Sequence, residues 1–195
     1  MHRQADVESL GILTLFDSDQ IDKKTFVDLT EFLVRNVEQA RICDSLFYQV
    51  LEASRQRSWQ ATELLLSTAL EAALRSIEGV PFTTKKSKNK QQWNIRASLE
   101  SFRKKYLSEE WVSVLEKVLR AHLRLRDRNA HPDWLLGTGG ALSNIEMENS
   151  LDDMILLSRF YGYMILALSG NKSLKPIFPV PHRNWRPPIT VEKIK

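Results

Sequence analysis

Residues 59–77 read WQATELLLSTALEAALRSI, and the pattern of this stretch indicates the fold class. Apolar side chains recur at steps of three and four residues, which is the period of an α-helix packed on one face. Ser58 is a suitable N-cap, and Gly79 followed by Pro81 is typical of a helix end. The four alanines within the stretch allow a neighbouring helix to approach closely. The stretch therefore predicts a buried helix that packs against other helices.

The same helical period appears before this stretch and after it. Before it, the period predicts one long helix or two collinear helices over 25–54, with an apolar face made of Phe26, Leu29, Leu33, Val37, Ala40, Cys43, Phe47, Val50 and Leu51. After it, a shorter helix is predicted over 94–106. Cys43 lies on the apolar face of the first helix, which indicates a core residue rather than a nucleophile.

Two more helices are predicted in the second half of the chain. Ser108 and the acidic residues after it open a helix over 108–130, which ends there because Pro132 disfavours helical backbone angles at the residue before it. Ser150 and Asp153 form a capping-box pattern that predicts the start of a last helix over 151–168. Gly170 follows that helix and is expected to close it.

The predicted architecture is an all-α bundle of four to five main helices with little else. Between the helices, residues 83–92 read TTKKSKNKQQ and predict an exposed basic loop. The helical domain is expected to span residues 24–170. Residues 1–23 are expected to form an N-terminal arm, and residues 171–195, with five prolines, a basic C-terminal tail.

Composition excludes several classes of protein. A single cysteine in 195 residues excludes an internal disulfide framework and a cysteine-rich zinc site. The longest apolar stretch, 154–168, is interrupted by Arg159 and is too short to span a bilayer. The N-terminus lacks the apolar core of a signal peptide. We therefore expect a cytoplasmic protein without membrane contact.

Charge is distributed unevenly along the chain. Residues 1–50 carry five basic and nine acidic residues, whereas residues 85–133 carry 13 basic and six acidic residues. A basic middle segment attracts a polyanion such as RNA or DNA. It is also consistent with an ordinary solvated surface and one exposed loop.

The strongest candidates for functional side chains lie in one stretch, residues 120–134, which reads RAHLRLRDRNAHPDW. On a helix, Arg120, Arg124 and Arg128 form one basic ladder. Arg126 follows His122 by one turn and lies on the stripe that faces another helix, where a guanidinium must be paired. Glu71 in the alanine-rich helix is a candidate partner for Arg126, or it faces water.

The spacing of Arg126 and His131 resembles that of the HEPN superfamily. Members of this superfamily carry an Arg and a His separated by four to six residues, usually with a polar residue directly after the Arg. Here four residues intervene, and Asp127 occupies the polar position. Arg124 with His131 also fits the spacing, but Leu125 then occupies the polar position. The resemblance covers residues 58–170 and is strongest to the Apea-like HEPN subgroup.

The resemblance implies a metal-independent endoribonuclease, with no cofactor and no metal ligands. In active members the ribose 2′-hydroxyl attacks the adjacent phosphorus, and the motifs of two protomers meet in a homodimer. His131 is implied to transfer protons and Arg126 to bind phosphate oxygens, with Asp127 and Asn129 in support. Toxin–antitoxin and antiphage systems are the usual setting, and an antitoxin or regulatory protein is then an expected partner.

RNA is the expected substrate, and its backbone is expected to contact basic side chains of the ladder and of the basic loop, namely Arg120, Arg124, Arg128, Lys85, Lys86, Lys88 and Lys90. Unpaired bases stack on aromatic rings, and three tryptophans near basic residues either do this or lie in the core: Trp93, Trp111 and Trp134. His122 either lines the same groove as Arg126 or is a structural histidine.

Two other functions remain open on the sequence. A non-catalytic HEPN-fold module that dimerises, or that binds a protein partner or nucleic acid, makes three predictions. It gives no RNA product, its motif cluster is held in internal hydrogen bonds, and an apolar patch lies on the outer face of residues 24–54. A plain nucleic-acid-binding regulator predicts salt-sensitive binding without cleavage, but the sequence shows no helix-turn-helix pattern or other nucleic-acid-recognition motif.

Overall fold

The structure is a computed structural model that describes residues 22–35, 48–50, 52–53, 56, 59–76, 85–87, 90–92, 94–130, 144–171 and 174–176. Its long helices are α1 (Lys23–Arg35), α2 (Trp59–Ser76), α3 (Ile95–Tyr106), α4 (Val112–Ala130) and α5 (Asn144–Leu168). Residues 48–50 and 52–53 are also helical, and a 3-10 turn, Glu109–Trp111, leads directly into α4. The predicted all-α class is confirmed for the described residues.

Helices α2, α4 and α5 pack against one another and enclose the core. Helix α3 covers α2 and α4, and α1 lies against α5. The centre of the core is aromatic: the rings of Trp111 and Tyr163 are 5.0 Å apart, and those of Phe102 and Phe160 are 6.4 Å apart and nearly perpendicular. Trp111 is fully buried, so of its two expected roles the structure supports the core residue and not base stacking.

Several helix ends fall where the sequence places them. Helix α2 spans Trp59–Ser76, which lies within the range predicted for it. Helix α3 is capped by Asn94, whose Oδ1 accepts a hydrogen bond from the Ala97 N–H at 3.3 Å. Helix α4 ends at Ala130 as predicted. Ser58, the predicted cap of α2, lies outside the described residues.

The predicted start of the last helix was wrong. Helix α5 begins at Asn144, seven residues before the predicted start, and Ser150 lies inside it. The Ser150 hydroxyl donates a hydrogen bond to the carboxylate of Glu63 on α2, and Asp153 accepts from Arg124 on α4. The two side chains of the supposed capping box therefore make contacts between helices, and the helix continues through them.

The first helix differs from its prediction in register. Asp22 caps α1, since its Oδ1 accepts from the Thr25 N–H at 2.6 Å, and the helix begins at Lys23 instead of Thr25. Leu29 is buried as predicted, but Phe26, expected on the same apolar face, is 50% exposed. Thr25 takes the inward position one residue earlier. Cys43 and the predicted helix between residues 36 and 47 lie outside the described residues.

The segment predicted as a loop contains a small hairpin. Strand β1 (Lys85–Ser87) pairs antiparallel with β2 (Lys90–Gln92), and Ser87 is opposite Lys90, so two residues connect the strands. The hairpin was not predicted, because an all-polar hairpin lacks the alternation of apolar residues that identifies a strand.

The chain remains packed beyond the end of α5. Gly170 has a φ of 102°, and the N–H groups of Gly170 and Asn171 bond to the carbonyls of Ala167 and Leu166, which is a Schellman motif. Leu174 is fully buried, and its carbonyl accepts from the indole N–H of Trp111 at 2.7 Å. The core therefore extends past Gly170.

None of the described helices is long and apolar enough to cross a bilayer.

Candidate active site

The predicted motif arginine lies in the second half of α4, on the side that faces α2. The side chain of Arg126 is 54% exposed, and its Nη1 is 3.3 Å from Oε1 of Glu71 on α2. Glu71 is only 17% exposed. The guanidinium is therefore paired with a carboxylate that is mostly shielded from solvent, while about half of the Arg126 side chain remains exposed.

A buried histidine lies beneath this pair. His122, one turn before Arg126 on α4, is fully buried, and its Nε2 is 3.2 Å from the same Glu71 oxygen. The two atoms are within ion-pair distance, but among the described residues neither ring nitrogen has a partner in hydrogen-bond geometry. His122 is therefore a structural histidine, since its ring is fully buried. It also contacts the carboxylate that pairs with Arg126.

Glu71 is held in its charged form by the groups around it. The close contact with His122 is the largest cause that lowers the pKa of the Glu71 carboxyl, and the positive charges of Arg126 and Arg75 lower it further. Partial burial acts in the opposite direction and is outweighed. At neutral pH the Glu71 carboxylate is ionised and orients Arg126.

Two arginines of the basic ladder are occupied by carboxylates inside the bundle. Arg124 donates from Nε to Asp153 Oδ2 at 2.7 Å and from Nη2 to Oδ1, and this bond raises the pKa of Arg124. Arg128 donates to Oε1 of Glu63 at 3.0 Å, and Glu63 is fully buried. Arg120 is exposed.

The other predicted site residues are only partly described. Asp127 is exposed on α4, beside Arg126. Asn129 lies in the last turn of α4, but its side chain is outside the described part, as is the whole of His131. Lys85, Lys86 and Lys90 lie on the strands of the hairpin; Lys88, Trp93 and Trp134 lie outside the described residues.

Sequence reasoning did not single out Glu63 or Arg75, and it assigned Ser150 only to a helix cap. One signal was available for Glu63: it precedes Leu66 and Leu70 by three and seven residues, so it occupies an inward position of α2. A carboxylate at such a position predicts a basic partner on a neighbouring helix. No pattern in the sequence distinguishes Arg75 from any other surface arginine.

Within the described residues, no group of three or more His, Cys, Asp or Glu side chains is placed to hold a metal ion. Comparisons of the chain with models of known protein families, with curated proteins and with solved structures give no match. The class that the fold and the site define is therefore an all-α bundle with an arginine, a carboxylate and a buried histidine clustered between two of its helices.

Proposed function

We propose that this protein is a metal-independent endoribonuclease of the HEPN type, with Arg126 and His131 as its catalytic residues. The observation that carries the proposal is the state of Arg126. Its Nη1 lies 3.3 Å from the Glu71 carboxylate, while 54% of the side chain is exposed. An arginine that is oriented in advance and open on one side is suited to stabilise charge that builds up on a phosphate.

The motif pairs His131 with Arg126 rather than with Arg124. Both arginines fit the family spacing, but Arg124 is bound at two of its nitrogens by Asp153. Releasing it costs the energy of a charged, bidentate hydrogen bond. His131 follows Ala130, the last residue of α4, and the carbonyl end of a helix favours a protonated imidazole.

The reaction is an internal transesterification. The 2′-hydroxyl loses its proton to a base and attacks the neighbouring phosphorus, and the bond from phosphorus to the 5′-oxygen breaks. The leaving 5′-oxygen takes a proton from the His131 imidazolium, and Arg126 holds the phosphate oxygens as their charge increases. The products are a 2′,3′-cyclic phosphate and a 5′-hydroxyl, with Asp127 and Asn129 supporting the catalytic groups.

A homodimer is part of the proposal, because two copies of the motif then form one cleft. Two exposed leucines support an interface on the α2 and α4 side: Leu64 is two turns before Glu71, and Leu123 is three residues before Arg126. Exposed apolar side chains beside a functional group are typical of interfaces. Such a ribonuclease needs a neutralising partner, which fits a toxin or antiphage setting with an antitoxin.

The test is cleavage of labelled RNA in EDTA, compared with the same RNA carrying 2′-O-methyl groups throughout. We expect the RNA to be cut with 2′,3′-cyclic phosphate ends and the methylated RNA to stay intact, since it lacks the nucleophile. A His131→Ala variant purified in the same way controls for contaminating ribonuclease and should be inactive. Products from the methylated RNA, or from the variant at the wild-type rate, contradict the proposal.

A second candidate is a module that binds a protein partner without cleaving RNA. The observation in its favour is an exposed apolar strip on α1, formed by Phe26, Val27 and Val34. The same cleavage experiment separates the two functions, because a binding module gives no product from either RNA.

A further inference from the structure

The imidazole of His122 and the guanidinium of Arg126 contact the same carboxylate oxygen. Both side chains belong to α4, one helical turn apart, on the side that meets α2. Oε1 of Glu71 is 3.2 Å from Nε2 of His122 and 3.3 Å from Nη1 of Arg126. His122 is fully buried, whereas 54% of the Arg126 side chain is exposed. A single oxygen atom therefore connects a buried ring to an arginine at the surface.

The buried ring of His122 lacks well-directed hydrogen bonds. Among the described residues, neither of its nitrogens has a partner in hydrogen-bond geometry, although Nε2 is within ion-pair distance of Glu71. A buried polar group of this kind lowers the free energy of unfolding relative to an apolar side chain of similar size. Packing alone does not account for a histidine at this place, because a leucine fills it without that cost. Features that reduce stability in this way are concentrated at functional sites.

The position of the Glu71 carboxylate decides where Arg126 lies. Glutamate and arginine side chains both have several rotatable bonds, so a contact between the two alone leaves each free to change rotamer. The ring of His122 lies on the buried side of the Glu71 carboxylate and limits how far it can move into the bundle. The same close contact is the largest cause that lowers the pKa of Glu71, so it also favours the charged carboxylate.

We infer that His122 is a positioning residue of the candidate active site: its Nε2 holds Oε1 of Glu71 at the point where that oxygen meets Arg126. The ring of His122 does not touch RNA in this arrangement, because it is fully buried. It acts on cleavage only through Glu71 and Arg126. The inference rests on the proposed function, and it adds to that function a residue outside the spacing of Arg126 and His131.

The test replaces the imidazole by side chains that keep or remove its Nε2. Cleavage of labelled RNA in EDTA at neutral pH is measured for wild type, His122→Leu, His122→Gln and His122→Asn, and the Tm of each is measured by circular dichroism. Leucine fills the space without a polar atom. The amide nitrogen of glutamine is as many bonds from the backbone as Nε2 of histidine, and that of asparagine as many as Nδ1.

Ser98→Ala on α3 is the matched control. The Ser98 hydroxyl is also fully buried, and among the described residues it has no hydrogen-bond partner. The control therefore removes a buried polar atom of the same kind at a place outside the contacts of Glu71 described above. Its rate of cleavage should match that of wild type.

We expect His122→Leu to lose at least about tenfold in kcat, because a displaced Arg126 no longer meets the charge that builds up on the phosphate. Its Tm should equal or exceed that of wild type, which separates this loss from unfolding. His122→Gln should keep a rate within about threefold of wild type, and His122→Asn should resemble His122→Leu. A purely structural histidine predicts the opposite combination for His122→Leu, a lower Tm and an unchanged rate.

A double variant tests whether His122 acts through Glu71. In a Glu71→Ala background, His122→Leu should lower the rate no further, and a second loss of about tenfold would overturn the inference. Wild-type activity of folded His122→Leu, or equal rates for His122→Gln and His122→Asn, would overturn it and leave the proposed function intact. The comparison of His122→Gln with His122→Asn decides the question if His122→Leu does not fold. A wild type that cleaves no RNA contradicts the inference and the proposed function together.

Discussion

The Glu71 carboxylate organises the side chains of the candidate site. His122 contacts it from the core, and Arg126 and Arg75 contact it from the solvent side. The orientation of Arg126 therefore depends on the charge of a residue on another helix. A stability measurement reports this dependence without any assumption about substrate.

The Glu71→Gln substitution should destabilise the protein in a pH-dependent way. Contact with His122, helped by the arginines, lowers the pKa of Glu71 in the folded chain. Its stabilisation is complete above the ordinary pKa of 4.5 and is lost as the pH falls through the lowered value. We expect Glu71→Gln to cost about 1 kcal/mol at pH 7, or about 2–4 °C in Tm, and the difference to vanish in acid.

Thermal melting followed by circular dichroism from pH 7 to pH 3 checks this expectation. Glu31→Gln is the control, because it removes a carboxylate from an exposed pair and should change Tm little. A Tm difference for Glu71→Gln that is constant down to pH 3 would show that the charge of Glu71 does not support the cluster.

The sequence predicted part of this cluster. The position of Arg126 one turn after His122, on the face toward another helix, made a carboxylate partner necessary, and Glu71 was a candidate. Arg75 follows Glu71 by four residues on the same helix, so their pairing is a local pattern that the sequence permits. That Glu71 is shared with Arg126 depends on the register between α2 and α4, and no sequence pattern gives that register.

At the level of helix packing, buried polar contacts join α2, α4 and α5. Glu63 on α2 accepts from Arg128 on α4 and from Ser150 on α5. Asp153 on α5 accepts from Arg124 on α4. These contacts fix the three helices in one register. Two of the side chains that make them, Ser150 and Asp153, are the ones that the sequence suggested as a capping box. The contacts also reduce the positive charge that α4 offers to RNA.

The Glu63→Ala substitution should destabilise the bundle strongly. It leaves the mostly buried guanidinium of Arg128 without this carboxylate, and breaking a buried ion pair costs about 3–5 kcal/mol. Urea denaturation should show a lower midpoint with an unchanged m-value. Glu31→Ala, in an exposed pair, should stay within about 0.5 kcal/mol of wild type. Equal midpoints for the two variants would mean that the Glu63 contacts do not stabilise the packing.

At the scale of the whole molecule, two of the surfaces that expose apolar side chains within the described residues bear on the proposed functions: Leu64 and Leu123 beside the candidate site, and the strip of Phe26, Val27 and Val34 on α1. The proposed homodimer uses the first surface, because only that one brings two copies of Arg126 together. The second surface belongs to the protein-binding alternative.

The homodimer is tested by placing a charge on each surface in turn. We expect wild type to sediment at twice the chain mass of 22.6 kDa, Leu123→Asp at the chain mass, and Val34→Asp like wild type. The mass of each variant in solution is measured by analytical ultracentrifugation. A monomeric wild type would contradict the proposed homodimer. A dimer disrupted only by Val34→Asp would place the interface on the α1 strip instead.

For the fold, periodicity was sufficient to identify the α class, and α2, α3 and α4 lie within the ranges predicted for them. It failed where tertiary contacts override local signals, as at Ser150 inside α5. It also failed where a polar hairpin has no apolar period. Phe26 shows a third limit of periodicity. A stripe of apolar residues at steps of three and four does not distinguish neighbouring positions, and Thr25 is buried where Phe26 was expected to be.

The most direct measurement is the rate of RNA cleavage in EDTA by Arg126→Ala beside Arg35→Ala. Both substitutions remove an arginine that is more than half exposed, so both variants should fold and melt close to wild type. We predict that Arg35→Ala retains the wild-type rate and that Arg126→Ala loses at least about 100-fold, as expected when a group that stabilises the transition-state charge is removed. Cleavage by folded Arg126→Ala at the wild-type rate would contradict a catalytic role for this arginine and with it the proposed ribonuclease.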